Sequence, residues 1–446
     1  MKNYIQFVNH ASIIISNGKK SILSDPWYYG TSFDDGWKLL FENKKEDIFK
    51  ILDNINYIWI SHEHPDHFSV RFFLDFEDKI KSNNIKIIFQ KTKDKKVVKF
   101  LEKKSFFFIE LENFELFKID ENFELKIHKS GFYDSALLLN IDGKRIFNLN
   151  DCPLKSKKEI LDFKKINGKC DFLFTQFSYA AWKGGRRNIK WRLKAAEEKI
   201  DSIIDQSNIL KAKFTIPFAS FIYFCDNYNF YLNDSVNTPK KLLNIKDQLN
   251  SKILFLKPYQ KISLDETNHS DEGFKFWDKT FNDNNLKKIM INEKIFNFEK
   301  LKTEFEIYIK KIYKKNSKFL IFFLSLIPFV QIFKPVFIRL VDLGLIVEVD
   351  ISRGNFKKTN ITKVDIEMNS KSLYLIFKEN FGYDTLTVNA CFEEKSKNGF
   401  LKMSKSLSIG NLNNLGVNLN FFSILDLNLF YLFIKKLKFV KKRLNY

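Results

Sequence analysis

Short apolar runs punctuated by two-residue turn signals dominate the first 265 positions of the chain. Residues 4–8 and 11–16 are such runs, and Asn17-Gly18 before Ser21-Ile22-Leu23 is a strong hairpin signal, so the chain is predicted to open on antiparallel strands. The arrangement recurs with Ala136-Leu137-Leu138-Leu139, Asp142-Gly143 and Arg145-Ile146-Phe147-Asn148. Tyr57-Ile58-Trp59-Ile60-Ser61, residues 171–175 and residues 217–224 read as further buried strands, because aromatic and β-branched side chains suit a covered, pleated surface. Residues 191–206 carry a helical pattern. Strands alternating with helices predict an α/β unit over residues 1–265.

Beyond that point the period changes. Phe298, Leu301, Phe305, Tyr308 and Ile312 recur at three- and four-residue intervals, the stripe of an amphipathic helix, so residues 266–340 read as a helical connector. Residues 319–333 are apolar except Ser325 and Gln331, but contain Pro328 and fall short of the ~20 residues that span a bilayer. A buried or interfacial helix fits them better. Residues 345–351, 361–368, 373–377 and 385–392 read as strands, giving a smaller α+β domain over residues 341–446 that resembles sterol-carrier-type lipid-binding domains. The chain ends in an apolar run at 421–434 and the basic stretch Lys435 to Arg443. Such a tail suits peripheral contact with an anionic membrane, at about 1 kcal/mol per cation, or else a helix packed on its own domain.

Composition narrows the function classes. With 446 residues, 45% of them hydrophobic, the chain can build two or three cores and is not disordered by default. Its net charge of +21 favours anionic ligands or membrane surfaces. Fifty Phe against 15 Gly, with abundant Lys, Asn and Ile, also fits the imprint of an AT-rich genome, so part of the charge is a substitution habit. No RNA-binding signature or zinc-finger spacing appears, and no nucleic-acid partner is expected. The four cysteines form no Cys-x-x-Cys pair, which fits reduced thiols, and the paired Cys/His motifs of a Rieske cluster are absent. Met1 to Phe7 lacks a signal-peptide core, so the expected location is cytoplasmic, at the inner membrane if the tail binds lipid.

The chemistry concentrates in His62-Glu63-His64-Pro65-Asp66-His67, which holds three of the six histidines directly after a predicted strand. Imidazoles and carboxylates together suit zinc, iron and manganese, and alternating residues of a tight loop can serve two ions. Asp151 emerges just past another strand end and is a candidate bridging carboxylate, with a helix cap or Asx turn as the plainer role. Tyr179, Trp182, Lys183, Arg186 and Arg187, around Gly184-Gly185, offer aromatic stacking and anion binding to a substrate, unless the stretch is a plain surface loop.

The pattern His-x-His-x-Asp-His resembles the signature of the metallo-β-lactamase superfamily. Asn9-His10-Ala11-Ser12, Ser24-Asp25-Pro26-Trp27, Asn148-Leu149-Asn150-Asp151-Cys152 and Gln176-Phe177-Ser178-Tyr179-Ala180 resemble the metallo-hydrolase part of the CMP-N-acetylneuraminate hydroxylases and their bacterial relatives. The resemblance implies a four-layer αββα fold and two divalent ions, zinc or manganese/iron, with His62 and His64 on one ion and Asp66 and His67 on the other. It places His10 and Asp25 near the substrate. It also asks for a histidine before the strand leading to Asp151, where His128 stands with Asp134 as competitor, and for a last histidine that Asp226 would have to replace. The implied reaction is attack by metal-bound hydroxide, with Asp66 orienting it or protonating the leaving group, on a small anionic substrate: phosphorylated, nucleotide-linked, lactone or amide. A phospholipase-like enzyme, a non-catalytic scaffold, or one component of a split oxygenase with an iron–sulfur partner protein are the alternatives.

Overall fold

The computed structural model describes residues 2–92, 95–131, 133–152, 154–266, 270–283, 286, 294–328, 331–414 and 416–420. The apolar and basic tail at 421–446 lies outside the described residues.

Two seven-stranded sheets form the body. The first runs Lys261–Ser263, Tyr4–Asn9, Ser12–Ser16, Ser21–Ser24, Tyr57–Ile60, Lys86–Gln90, Phe108–Leu111, antiparallel at its start and parallel from Ser21–Ser24 onward. The second runs Lys252–Ile253, Phe214–Phe218, Phe172–Gln176, Lys144–Asn150, Asp134–Ile141, Phe123–Ser130, Leu116–Asp120. Both predicted hairpins are present, and Asp142 and Gly143 both take positive φ (46° and 80°) in the second, as a tight two-residue turn requires.

Alternation along the strands builds the layers. Ile22, Trp59 and Ile88 face Leu125, Leu137, Phe174 and Ile216 of the second sheet, forming the core between sheets. Their neighbours Leu23, Ile58 and Ile87 point the other way, onto the helices Lys45–Leu52, Val70–Asp75, Glu77–Ser82 and Lys96–Lys103. On the far side Leu138, Phe147 and Leu173 pack on the helices Lys157–Asn167 and Ile189–Leu210. Strands covered on both faces must be apolar at nearly every position, which is why their sequences read as runs.

The C-terminal part has a five-stranded sheet, Asn355–Thr359, Leu345–Asp350, Val336–Leu340, Ile366–Met368, Glu393–Glu394, under the helix Phe298–Lys315. Val336–Leu340, grouped with the connector on sequence, is its central strand. Two expected strands are helices instead: Ser370–Lys378 and Gly382–Asn389. In the first, Leu373, Ile376 and Phe377 are the buried apolar side chains, a three- and four-residue spacing that one helix face satisfies and a strand cannot. Residues 217–224 also divide: Phe214–Phe218 belongs to the large sheet, whereas Ile222–Phe224 pairs with Trp37–Leu39 in a small sheet.

Candidate metal centre

Strand ends of both large sheets converge on one buried cluster. His10 follows Tyr4–Asn9, Asp25 follows Ser21–Ser24, the 62–67 loop follows Tyr57–Ile60, and Asp151 follows Lys144–Asn150. His10, Asp25, Asn150 and Ala219 all take positive φ (38°, 34°, 50° and 45°), a conformation costly for non-glycine residues. Such strain concentrates where side chains must be aimed at one point.

The ligand atoms of His10, Asp66 and His67 lie within 4.8 Å of one another, and so do those of His62, His67 and Asp151. His67 Nε2 stands 3.2 Å from Asp66 Oδ2 and 3.6 Å from Asp151 Oδ2, and His10 Nε2 stands 3.4 Å from Asp66 Oδ2. His62 Nε2 lies 2.8 Å from His64 Nδ1 and 3.9 Å from Asp134 Oδ1. His67 is common to both triads but has one nitrogen to offer, since its Nδ1 faces Asp25 Oδ2 at 3.0 Å. It therefore serves one ion, and His62 with His64 is left for a neighbouring position.

A supporting layer fixes the rings. Asp25 is fully buried, accepts the Ser61 amide at 2.7 Å and also contacts the Asn150 side-chain amide. Ser61 Oγ meets His62 Nδ1 at 2.9 Å, and the Ser61 carbonyl accepts from Gln90 (3.0 Å) and Ser135 (2.6 Å). Gln176 donates to Asp151 Oδ1 at 3.0 Å and accepts from Lys199. Ligand histidines are characteristically held by such partners, which fix tautomer and orientation.

Electrostatics favour positive charge on His67, whereas burial holds His62 well below and His64 below the ordinary imidazole range. Burial works against a charge on His67, yet Asp66, Asp25 and Asp151 hold its pKa well above the ordinary value. Burial pushes the Asp134 carboxyl up to about 7, helped by Asp151, and lowers Lys199 to about 8. His10 Nδ1, Asp66 Oδ1 and His67 Nε2 are buried without a hydrogen-bond partner. Orphaned polar atoms are costly, and a divalent ion is the group that this imidazole and carboxylate set would satisfy.

The structure brings His62, His64, Asp66, His67 and Asp151 together and adds His10, which the sequence reading had assigned to substrate. Two proposed ligands lie elsewhere. His128 alternates with Ile127, which points into the inter-sheet core, so its own ring turns outward between Phe114 and Phe163 and meets Asn167 Nδ2 at 3.1 Å. Its competitor Asp134 faces the cluster. Asp226 instead accepts the Tyr228 amide at 2.7 Å in a turn after the small sheet, and Lys371 and Asp35 are among the charges that act on its carboxyl. The chain leaves the large sheet at Ala219, so the residues after Ile222–Phe224 do not reach the metal cluster.

The substrate assignments change too. Asp25 orients His67 and is sealed from any substrate. Tyr179 is buried, its hydroxyl donating to the Leu232 carbonyl, and Trp182 packs 4.1 Å from Phe400 and 5.4 Å from Phe392. Arg186 donates to Glu393 at 2.8 Å and to the Asn227 carbonyl at 2.9 Å, and Lys183 is half-buried on the same loop. This loop docks the C-terminal part; its aromatics are mortar between the two. Burial pushes the Cys152 and Cys225 thiols up to about 12, and among the described residues neither joins the groups that could hold an ion.

What the sequence reading missed is the wall that the C-terminal part builds beside the metal cluster. Phe33, His64, Lys96, Tyr133, Phe381 and Asp384 line a cavity of about 250 Å³. Phe381 and Asp384 come from the helix Gly382–Asn389 and its N-cap. Nothing local in the sequence links residues so far apart.

Two sheets face to face, helices outside both, and a His-x-His-x-Asp-His loop at a strand end opposite Asp151 settle the architecture. The chain has the metallo-β-lactamase fold. Its His-x-His-x-Asp-His loop matches that fold's signature in full. No protein-family model matches the chain. Among curated proteins it is similar to cytidine monophosphate-N-acetylneuraminic acid hydroxylase from Xenopus laevis, at 29% identity over 157 residues, 33% of this chain and 25% of that protein. It is similar to the Danio rerio enzyme at 22% identity, covering 53% of this chain and 42% of that one, and to the inactive Homo sapiens protein at 23%, covering 58% and 54%. The chain thus spans a quarter to about half the length of these relatives. Similar solved structures include CmlA, a diiron β-hydroxylase from Streptomyces venezuelae (12% identity, TM-score 0.41, 59% of this chain and 54% of that one). Igni18, a metallo hydrolase from Ignicoccus hospitalis, is another (13%, TM-score 0.40, 58% and 97%).

Proposed function

We propose that this chain is a metal-dependent hydrolase acting on a small polar substrate held in the cavity between the 62–67 loop and the helix Gly382–Asn389. The observation that carries the proposal is the set of buried, orphaned donor atoms on His10, Asp66 and His67 beside His62 and Asp151. These residues and His64 would hold the ions. A divalent ion held there would supply an acidic coordinated water near neutral pH and a positive charge beside a substrate oxygen.

The chain's own groups do the rest. Asp25 and Ser61 keep the His67 and His62 rings aimed, so no reorganisation is needed at the moment of reaction. Asp134, at the rim of the cluster 3.9 Å from His62, is placed to pass a proton to a leaving atom. Phe33, Phe381 and Val388 give the cavity an apolar wall that limits water, while Lys96, Glu63 and Asp384 supply polar handles for the substrate.

The test is a panel of chromogenic phosphodiesters, phosphomonoesters, lactones and amides, offered to metal-loaded protein and to chelated protein. Turnover of at least one class, lost on chelation and in Asp66→Ala, is expected. Stoichiometric metal with no turnover of any class would overturn the hydrolase reading.

One observation favours a second reading. Three carboxylates, Asp66, Asp134 and Asp151, face the cluster, a hard donor set that suits iron or manganese better than zinc. Relatives named as hydroxylases make an oxygenase component, supplied with electrons by a separate iron–sulfur protein, the reading to test next. Oxygen uptake by the iron-loaded chain, dependent on added reductant and substrate, supports it.

A further inference from the structure

The short helix Lys318–Leu326, KFLIFFLSL, buries Leu320, Ile321 and Ser325 and leaves Phe319, Phe322, Phe323 and Leu326 65%, 39%, 52% and 55% exposed. Single exposed apolar residues are ordinary, but four large ones on one nine-residue helix form a contiguous patch of the kind that marks an interaction surface.

Charge along the sequence flanking the helix is one-sided. Residues 307–341 contain seven Lys or Arg and no Asp or Glu, and Lys314, Lys315 and Lys318 are exposed at the start of the helix. The described chain also ends here. The Leu419 amide donates to Asn316 Oδ1 at 2.7 Å, and the Leu419 carbonyl accepts from Ser317, the N-cap of the helix, at 2.8 Å. The sequence that follows has an apolar run at 421–434 and, over residues 427–446, six Lys or Arg and no acid.

We propose that this helix docks the protein on a bilayer rich in anionic phospholipid, its phenylalanines entering the interfacial layer while the lysines meet the headgroups. Charge complementarity selects this occupant. A second copy meeting the patch symmetrically would set these cations against themselves. Cover by residues 421–446 would likewise bring six more cations to a helix whose start already exposes Lys314, Lys315 and Lys318. An anionic bilayer answers both the apolar face and the basic flank, each cation near it strengthening binding by roughly fivefold. The proposal is independent of the metal centre.

Full-length protein is sedimented with vesicles of phosphatidylcholine and with vesicles of phosphatidylcholine mixed with phosphatidylglycerol. Binding to the mixed vesicles, weakened by salt and much lower on phosphatidylcholine alone, is expected. In Phe319→Ser/Phe323→Ser the affinity falls by about tenfold or more, while the thermal melt and metal content stay as in the unsubstituted protein, because both side chains are exposed. Equal binding by the variant, or equal binding to both vesicle types, overturns the proposal. So does a salt-resistant dimer that the variant loses, which would assign the patch to a second copy. Binding that appears only after residues 421–446 are removed would mean that this segment covers the helix in the full chain, and would overturn it equally.

Discussion

Replacing Asp25 by asparagine tests whether the buried layer behind the metal cluster works as the geometry requires. Asp25 has a φ of 34°, in the left-handed region that asparagine also tolerates, so the backbone accepts the change. The carboxylate accepts from Ser61 at 2.7 Å and from His67 Nδ1 at 3.0 Å. An acceptor at that place obliges His67 to carry its proton on Nδ1, leaving Nε2 bare for an ion. Asp25→Asn can keep its carbonyl oxygen on the Ser61 amide, but then presents an NH₂ group to His67, and the proton moves to Nε2. If the amide flips instead, the Ser61 N–H loses its acceptor at a cost of about 1–3 kcal/mol. Loss of such a supporting partner typically weakens metal binding by about 10–100-fold, roughly 1.4–2.8 kcal/mol. Chelator competition with zinc, manganese and ferrous iron measures it, alongside a melt in chelator to monitor folding. A variant that melts normally and binds every ion as tightly as the unsubstituted protein would show that Asp25 does not set the His67 tautomer.

Three further outcomes follow from residues that lie away from the cluster. His128→Gln leaves metal content unchanged and makes the protein less acid-sensitive: burial lowers this imidazole to about 4 from 6.5, so the unfolded chain takes up a proton that the folded one refuses. Its stability contribution is therefore intact above pH 6.5 and lost as pH falls toward 4; allowing for solvent around a half-buried ring, urea titrations should show roughly 1–2 kcal/mol of that loss removed. Asp226→Ala keeps full metal stoichiometry by elemental analysis and loses the turn bond to Tyr228, about 1 kcal/mol; loss of an ion would restore it as a ligand. Trp182→Ala, opening a hole between Phe392, Phe400 and Trp191, should destabilise by about 3–5 kcal/mol and expose the C-terminal part to protease before the rest.

Where interactions are local, the sequence was readable. The two hairpins announce themselves through Asn17-Gly18 and Asp142-Gly143, and the 62–67 loop carries its ligands within six residues. Long-range geometry was not. His128 looked suitable because it was the imidazole at the right place in the chain, yet the alternation that buries Ile127 between the sheets turns His128 outward. His10 sits at a bend with a φ of 38°, and a one-dimensional pattern cannot show where a strained strand end will aim. The segments 370–378 and 382–389 are short enough that helix and strand patterns overlap, and packing decides between them. Aromatic residues after a strand suggested a substrate platform; Tyr179 and Trp182 are instead the contact that brings Phe381 and Asp384 to the cavity.

The hydrolase reading depends on metal held by His10, His62, His64, Asp66, His67 and Asp151. Elemental analysis of the purified full-length chain, refilled with zinc, manganese or iron after chelation and desalted, tests it most directly. At least one tightly held ion per chain is expected, abolished when His62, His64, Asp66 and His67 are all replaced by alanine and untouched by Asp226→Ala. A folded protein that retains no ion, or an ion that survives replacement of all four residues, would contradict that assignment.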